Sequence, residues 1–352
     1  MAIILEPVSF FGLDIGDTQA RVIQLNQTSE KASLVAAGSI AIDAAKAKSD
    51  NPADWQAVSD KIRQLLEEVG IITEQVVFSM PEADVFSRII ELPRMSSEEA
   101  SQAIEYEAES YVPYPLDEVQ LDWQILDEEQ EENQDEDKMR VFLAAAPLNQ
   151  VERLVGIVEG AGLKPLAIET DTIASNRSLT NESQKSGCVA IIDMGLNNTA
   201  LSISNQGLIR LTHNIPLGGK HISIAIAKDL GIDEVAADKL KLGLSKLDDV
   251  QKNTIRKVYN QTLDTIVVDI KRSMDFFIGQ SYSTKIEKAI LCGGGARLEG
   301  IVDYFSTSLG LPVELADPWM YINCADALSS QQLQQMATVF PVAIGLAMRK
   351  EK

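Results

Sequence analysis

The chain contains two related stretches, Phe11-Gly-Leu-Asp-Ile-Gly-Asp-Thr18 and Val189-Ala-Ile-Ile-Asp-Met-Gly-Leu-Asn-Asn-Thr199. Each has the pattern of an apolar strand that ends in Asp, followed by a turn that contains Gly and a Thr. The segments after them, 20–25 and 200–204, have the alternation of a second strand. Because the two stretches stand about half a chain length apart, the repeat favours two similar lobes. Two unrelated hairpins are the alternative, since Asp-x-Gly turns are common.

Length and charge limit the kind of protein this is. The chain has 352 residues, which at roughly 150 residues per domain corresponds to about two domains or one two-lobed fold. It carries 31 Lys and Arg against 52 Asp and Glu, a formal net charge of −21. Such acidity argues against sequence-independent nucleic-acid binding and against a basic membrane-surface protein. We therefore expect no nucleic-acid partner.

Cysteine and histidine are too few for the common metal and catalytic arrangements. Cys188, Cys292 and Cys324 are far apart and form no CxxC pair, so we predict buried, reduced thiols. The two histidines, His213 and His221, suggest neither a zinc site nor a Ser-His-Asp triad. We expect both to be surface side chains or side chains held by a partner.

No segment has the pattern of a membrane anchor or a signal peptide. A spanning helix needs about 18 apolar residues in succession, and none is present. Residues 1–11 are apolar but lack a basic n-region and a cleavage site of small residues. The sequence therefore predicts a cytoplasmic protein that does not insert into the membrane directly.

Between the two repeated stretches, helical and strand periodicities alternate, which is typical of an α/β protein. The predicted helices are 52–69, 96–111, 148–160, 171–179, 223–230, 234–242, 253–278, 299–309 and 340–348. Further strands are predicted at 75–80, 119–126, 139–146, 163–168 and 288–291. The link 127–138 holds eight acidic residues and one basic residue, so we predict a solvated hairpin tip. An acidic partner-binding loop is the alternative.

The two Asp-x-Gly turns have the chemistry of a pair of phosphate clamps. A turn that contains Gly lets backbone N–H groups approach phosphate oxygens, and the hydroxyl of Thr18 or Thr199 would add a donor. The Asp at each strand end, Asp14 or Asp193, could hold the water shell of Mg²⁺, which prefers carboxylate, water and phosphate oxygens. The chain has no GxxxxGK[ST] loop, so these turns are not a Walker A motif.

A third turn of the same kind is Gly293-Gly-Gly-Ala-Arg297, which follows a predicted strand and precedes a predicted helix. Consecutive glycines permit close approach of the backbone to a ligand, and the start of the next helix favours an anion. A tight strand-to-helix turn without a ligand is the alternative.

In this order the three turns resemble the phosphate-1, phosphate-2 and adenosine motifs of the actin-like ATPase superfamily, which includes actin, the heat-shock 70 chaperones, sugar kinases and FtsA. A closer resemblance, to the PilM family of type IV pilus assembly proteins, is carried by segments spread in order over nearly the whole chain. These segments are 92–99, 103–108, 111–119, 162–165, 215–219, 293–300, 309–313, 316–318 and 342–347.

The resemblance implies an α/β, actin-like ATPase fold of two lobes with four subdomains. The implied boundaries are 1–80 and 147–185 for subdomain 1A, 81–146 for subdomain 1C, 186–225 and 285–352 for subdomain 2A, and 226–284 for subdomain 2B. We call residues 81–146 the inserted segment.

The resemblance also implies an ATP and Mg²⁺ site between the lobes. The residues that match phosphate-1 are Asp14, Gly16, Asp17, Thr18 and Arg21. Those that match phosphate-2 are Asp193, Gly195, Asn197, Asn198 and Thr199. The remaining cofactor-binding matches are Gly218, Gly219, Asp238, Lys241, Gly294, Gly295 and Arg297.

Two of these positions depart from the pattern of relatives. Arg21 stands where relatives often have Lys, and Asp238 is one methylene shorter than the usual Glu. Asp14 and Asp193 are the implied metal-binding residues. Asp171 stands where the superfamily places a carboxylate that positions the attacking water. A simple helix N-cap explains Asp171 equally well.

The function implied by the resemblance is that of a cytoplasmic ATP-binding scaffold in the inner-membrane platform of type IV pilus assembly. In that family the N-terminal tail of the membrane protein PilN binds the scaffold, which would place this chain at the inner membrane through a partner. Self-association and, at most, slow Mg²⁺-dependent ATP hydrolysis are further expectations. A small-molecule kinase and an FtsA-like, filament-forming division protein are the alternatives.

Overall fold

The computed structural model describes residues 9–27, 31–125, 138–180, 187–244, 247–279, 284–324 and 327–350. Within these ranges the chain divides into two compact units. The first unit contains the described residues of 1–80, 152–179 and 316–352, and the second contains those of 81–151 and 180–315.

Strands and helices alternate along the described chain, as the sequence predicted. The strands are β1 (Phe11–Ile15), β2 (Gln19–Asn26), β3 (Ser33–Ala41), β4 (Gln75–Met80), β5 (Phe86–Pro93), β6 (Val119–Ile125), β7 (Lys138–Pro147), β8 (Lys164–Thr170), β9 (Val189–Met194), β10 (Thr199–Asn205), β11 (Leu208–Ile215), β12 (Lys288–Cys292) and β13 (Val313–Leu315). The α-helices are α1 (Ala44–Ala47), α2 (Pro52–Val69), α3 (Ser97–Tyr111), α4 (Leu148–Gly160), α5 (Asp171–Leu179), α6 (Gly219–Leu230), α7 (Glu234–Leu242), α8 (Asp249–Phe277), α9 (Ile301–Leu309), α10 (Ser330–Met336) and α11 (Pro341–Ala347).

Each unit contains a five-stranded sheet, and the two sheets have the same topology. The strand order is β3-β2-β1-β4-β8 in the first unit and β11-β10-β9-β12-β13 in the second. In both sheets the first three strands in sequence pair antiparallel with one another, and the last two extend the sheet in parallel from the first strand. The two Asp-x-Gly stretches therefore occupy equivalent places, at the ends of β1 and β9. The internal repeat is confirmed.

The inserted segment forms a separate three-stranded antiparallel sheet, in the order β5-β7-β6. Helix α3 covers one face of this sheet, where Ala100, Ile104 and Ala108 contact a core with Ile90 and Leu143. The helix begins with a capping box between Ser96 and Glu99. This segment belongs to the second compact unit, and the four subdomain boundaries stay a prediction.

Most predicted elements are present, and their differences from prediction have local causes. Helices α2, α4, α5 and α7 have the predicted bounds. Helix α8 begins earlier than predicted because Asp248 caps it through the backbone N–H of Gln251. Helix α9 begins later than predicted because Gly300 adopts φ 79°, a left-handed conformation that does not continue a helix. Four strands were not predicted: β3, β5, β11 and β13.

The structure describes the cysteines, the histidines and the helices about which the sequence made predictions, but not the acidic tip. All three cysteines are free and buried, and burial raises the pKa of the Cys188 thiol to about 11. His213 is exposed, and His221 accepts a hydrogen bond from the backbone. No helix in the described ranges is long and apolar enough to cross a membrane. Residues 127–137 of the predicted acidic tip lie outside the described residues.

Helix α11 is the centre of the first unit, where it lies between β1 and α5. The approach is close because glycine stands at both contacts. A Cβ on Gly12 of β1 would lie 2.3 Å from the carbonyl oxygen of Ala343, and one on Gly345 of α11 would lie 1.7 Å from that of Ala174. Neither partner atom is the end of a flexible side chain, so neither contact could accommodate a methyl group without backbone movement.

We expect Gly345→Ala to lower the free energy of unfolding of the first unit by about 2–3 kcal/mol, since overpacking of this kind costs more than the ~1 kcal/mol that alanine gains in a helix. Thermal and urea denaturation measure the loss. Gly279→Ala is the matched control, because a Cβ there meets no atom within 4 Å. Equal stability of the two variants would contradict this account of the packing.

Candidate functional site

The turn after β1 fixes the carboxylate of Asp14 in a buried position. One of its oxygens accepts a hydrogen bond from Arg21 Nη1 at 2.9 Å and the other accepts from Ser79 Oγ at 3.0 Å. Ser79 lies on the neighbouring strand β4 and also accepts from the N–H of Ile15. Ser79 was not predicted from the sequence, because a hydroxyl 65 residues away carries no local signal.

The rest of this turn is held by its backbone. The N–H of Gly16 donates to the carbonyl of Gln19 at 3.0 Å, and the carboxylate of Asp17 pairs with Lys48 at 2.6 Å. The side chain of Thr18 is exposed. Arg21 also donates to the side chain of Gln19, so both Nη atoms of its guanidinium are engaged by protein groups.

The turn between β9 and β10 has the same backbone closure. The N–H of Gly195 donates to the carbonyl of Asn198 at 2.9 Å, as Gly16 does in the first unit. Thr199 is fully buried and its hydroxyl donates to the carbonyl of Leu217 at 2.7 Å. That hydroxyl is therefore occupied in this arrangement. We call residues 193–199 the second-unit turn.

Helix α6 begins directly against the second-unit turn. The N–H groups of Gly219 and Lys220 donate to the carbonyls of Gly195 and Leu196 at 2.9 and 2.8 Å. A Cβ on Gly218 would lie 2.7 Å from each of those two carbonyl oxygens. The structure thus brings Gly218 and Gly219 to the turn, and this proximity explains why Gly218 lacks a side chain, whereas a Cβ on Gly219 would make ordinary contacts only.

The predicted pair Asp238 and Lys241 ties α7 to the first turn of α6. The ammonium of Lys241 is buried and donates to the carbonyl of Gly219, to Ser223 Oγ and to Asp238 Oδ1, at 2.8, 2.9 and 2.7 Å. An ammonium has three N–H donors, so all of them are used within the protein. The nucleotide contact implied for Lys241 would require the exchange of one of these bonds.

The carboxylate of Asp238 is stabilised in its charged form. Burial raises its pKa, but the hydrogen bonds from Lys241 and Ser223 and the charge of Lys241 outweigh burial, so the pKa of Asp238 lies below its ordinary value. Because the pKa of Asp238 is lower in the folded state, its carboxylate stabilises the fold at every pH above the pKa that Asp has in the unfolded chain. This stabilisation is lost as the pH falls through the folded-state pKa.

The glycine run after β12 packs against the end of β9. Gly293 has φ 82°, and a Cβ there would lie 2.3 Å from an oxygen of Asp193. A Cβ on Gly295 would lie equally close to the side chain of Met194. Gly294 and Arg297 are exposed, and a Cβ on Gly294 would meet no atom within 4 Å. Gly294 therefore leaves open backbone beside the second-unit turn.

Asp171 is the first residue of α5, and the preceding residue, Thr170, caps the helix. The hydroxyl of Thr170 accepts from the N–H of Ile173 at 3.3 Å, which is the bond of an N-cap. Thr172 donates to the carboxylate of Asp171 at the same distance. The N-cap interpretation of Asp171 is thus wrong, and its role as a water-positioning residue stays a prediction.

The second-unit turn fits a phosphate group. Within the described chain, the backbone N–H groups of Leu196, Asn197 and Asn198 donate to no backbone carbonyl, and successive N–H groups in a turn bind anions. No cluster of three or more His, Cys, Asp or Glu among the described residues could hold a metal. Mg²⁺ prefers carboxylate, water and phosphate oxygens, so a single carboxylate such as that of Asp193 is a chemically suitable ligand beside a bound phosphate.

Comparisons with known proteins agree with this architecture. The family model described as "Type IV pilus assembly protein PilM" matches residues 12–351. A solved structure, "PilM-PilN type IV pilus biogenesis complex", is similar with a TM-score of 0.85 and 27% identity over 97% of this chain and 98% of that chain. A structure of MreB5 of Spiroplasma citri bound to ADP, 14% identical, has a TM-score of 0.54 over 96% of this chain and 94% of that chain. The predicted actin-like ATPase fold is confirmed.

A more distant similarity is to a curated protein of another function. The cell division protein FtsA of Neisseria meningitidis serogroup B (strain ATCC BAA-335 / MC58) is 26% identical over 227 residues, which are 59% of this chain and 53% of that protein. The chain thus spans about half the length of this relative.

We expect Lys241→Met to lower the free energy of unfolding by about 2–3 kcal/mol, because three hydrogen bonds from one charged group are lost and the remaining donor nearby, the single Ser223 hydroxyl, cannot replace them all. Denaturation followed by circular dichroism measures the change. Lys239→Met, at an exposed position of the same helix, is the control and should be nearly neutral. The assignment of Lys241 as the tie between α6 and α7 fails if both variants are equally stable.

Proposed function

The chain belongs to the PilM family of type IV pilus assembly proteins, and from this premise we propose that it is an ATP-binding scaffold of the pilus inner-membrane platform. The observation that carries the proposal is the likeness to the PilM-PilN complex, which extends over 97% of this chain and 98% of that one. The likeness to FtsA extends over only 59% of this chain. Pilus assembly is therefore favoured over a filament-forming division protein.

We propose that ATP binds through the turns that the repeat places at the ends of β1 and β9. The open N–H groups of Leu196, Asn197 and Asn198 support phosphate binding, and the exposed backbone at Gly294 supports an adenosine contact. Mg²⁺, which would offset the negative charge of the phosphates, would be held through its water shell by Asp14 and Asp193. Solved structures of the same fold with bound ADP and AMPPNP are consistent with this use of the fold.

The groups that surround these turns are better suited to binding ATP than to hydrolysing it rapidly. The carboxylate of Asp14 is occupied by Arg21 and Ser79, and the hydroxyl of Thr199 is occupied by a backbone carbonyl. Asp171 is the proposed group to position a water molecule for slow hydrolysis. The nucleotide would then act mainly as a ligand that stabilises one conformation.

We propose that the partner is the cytoplasmic N-terminal tail of a PilN-like membrane protein, which would place this chain at the inner membrane. The inserted segment leaves Tyr106, Tyr111 and Tyr114 exposed, whereas Val112 belongs to its core. Arg88 lies over the ring of Tyr111, 4.7 Å from its centre. Exposed aromatic side chains near acidic residues of α3 suit an extended tail that carries apolar and basic residues.

The nucleotide proposal is tested by thermal denaturation with and without MgATP. Ligand at 100 times its dissociation constant should add about 2.7 kcal/mol of stability. We expect the ligand-induced shift to be lost in Asp14→Ala and Asp193→Ala, each compared with its own ligand-free melting temperature, and kept in Asp229→Ala, an exposed control on α6. A wild-type protein without a shift would refute ATP binding.

The partner proposal is tested by calorimetric titration with a synthetic peptide of the PilN-like protein's N-terminus. Replacing Tyr106 and Tyr114 together by serine should weaken binding about tenfold or more, as loss of aromatic contacts does at interfaces. Phe276→Ser removes an equally exposed aromatic residue from α8 and should leave binding unchanged. Undiminished binding by the tyrosine variant would place the tail elsewhere, and absence of binding by the wild type would exclude this partner.

A further inference from the structure

Strand β11 carries a polar face that reaches the second-unit turn. Thr212 and Asn214 stand at alternate positions of the strand and so share one face. At one end of this face, Asn198 Nδ2 of the turn donates to Asn214 Oδ1 at 2.8 Å. The turn whose open N–H groups are proposed to bind phosphate is thus held by a side chain of β11.

The same face of β11 contacts the inserted segment. Thr212 Oγ1 lies 2.9 Å from Ser87 Oγ on β5, and Ser87 Oγ donates to the buried carboxylate of Glu82. A serine hydroxyl has one proton, and Ser87 gives that proton to the carboxylate of Glu82. Thr212 must therefore donate to Ser87, which gives the chain Thr212 to Ser87 to Glu82 a fixed direction.

This chain is half-buried and ends at a buried carboxylate, and it favours one arrangement of the two parts that it joins. Inside a protein a hydrogen bond is strengthened by the low local dielectric, and a polar group shielded from water destabilises the fold when it lacks a partner. A displacement of β5 along β11 would leave the Ser87 oxygen without its donor, whereas an apolar contact would tolerate such a displacement. The inserted segment and β11 therefore hold each other in register.

We propose that Ser87 and Thr212 are positioning residues through which the inserted segment sets the geometry of the second-unit turn. They act through Asn214, which holds Asn198, and neither of them touches the nucleotide. The part of this inference that concerns nucleotide rests on the proposed function, which assigns the turn to ATP phosphates. A nucleotide bound at the turn would then change the rate at which the β5 backbone opens, because β11 contacts both the turn and β5.

The test removes one hydroxyl and follows backbone hydrogen exchange by mass spectrometry. Thr212→Val keeps the shape of the side chain and deletes its donor, Thr212→Ser restores the donor, and Thr265→Val deletes an exposed threonine hydroxyl on α8. Without any ligand, exchange in peptides that cover 193–199 should rise about fivefold in Thr212→Val, in keeping with the loss of one hydrogen bond. It should remain at the wild-type rate in Thr212→Ser and Thr265→Val.

A second arm of the experiment adds MgATP. In the wild type, nucleotide should slow exchange both in the second-unit turn and in β5, and Thr212→Val should retain the first effect and lose the second. Ligand-free exchange of the turn that is unchanged in Thr212→Val overturns the positioning role, whatever ATP does. Absence of any MgATP effect in the wild type contradicts the proposed function instead, while the ligand-free comparison still decides the role of Thr212.

Discussion

The first turn of α6 and the second-unit turn satisfy each other's backbone hydrogen bonds, and the candidate site of the second unit depends on this contact. A helix start leaves N–H groups without partners, and here Gly219 and Lys220 give theirs to the carbonyls of Gly195 and Leu196. The contact is close enough that Gly218 can carry no side chain, and Lys241 secures it from behind. The donors that remain open belong to the turn rather than to the helix.

The two units use one framework with different local chemistry. Both sheets have the same strand order, and both Asp-x-Gly turns close through the same backbone hydrogen bond, from Gly16 to Gln19 and from Gly195 to Asn198. In the first unit the turn is fixed mainly through the carboxylate of Asp14, which side chains hold. In the second it is fixed through the backbone of α6. Repetition of the framework therefore does not imply that equivalent residues have the same contacts.

The sequence predicted those elements whose signal is local. Helix α3 has a capping box and a clear end at its prolines, and α2 has helical periodicity throughout, so both were found. Strand β3 contains Gly38 and several small residues, and β13 has only three residues, so neither has a readable alternation. Helix α6 was predicted too short because Gly218 and Gly219 suggest a loop, whereas the carbonyls of a distant turn extend the helix to Gly219. The same reason hid Ser79 and Ser223 from the predicted site, since tertiary contacts alone bring them to Asp14 and Lys241.

In the hairpin of β10 and β11, one face forms hydrogen bonds that fix the register of neighbouring segments, where apolar side chains would only add buried area. One face supplies Leu201, Ile203 and Ile215 to the core, whereas the other buries Ser202 and Ser204 on β10 and presents Thr212 on β11. An apolar second face would bury comparable area but would accept neighbours in several registers. The hydrogen bonds to Ser87 and Asn198 accept one register only. For a protein in which the nucleotide is proposed to stabilise one conformation, a fixed register matters more than added stability, because a contact that can slide transmits no defined change.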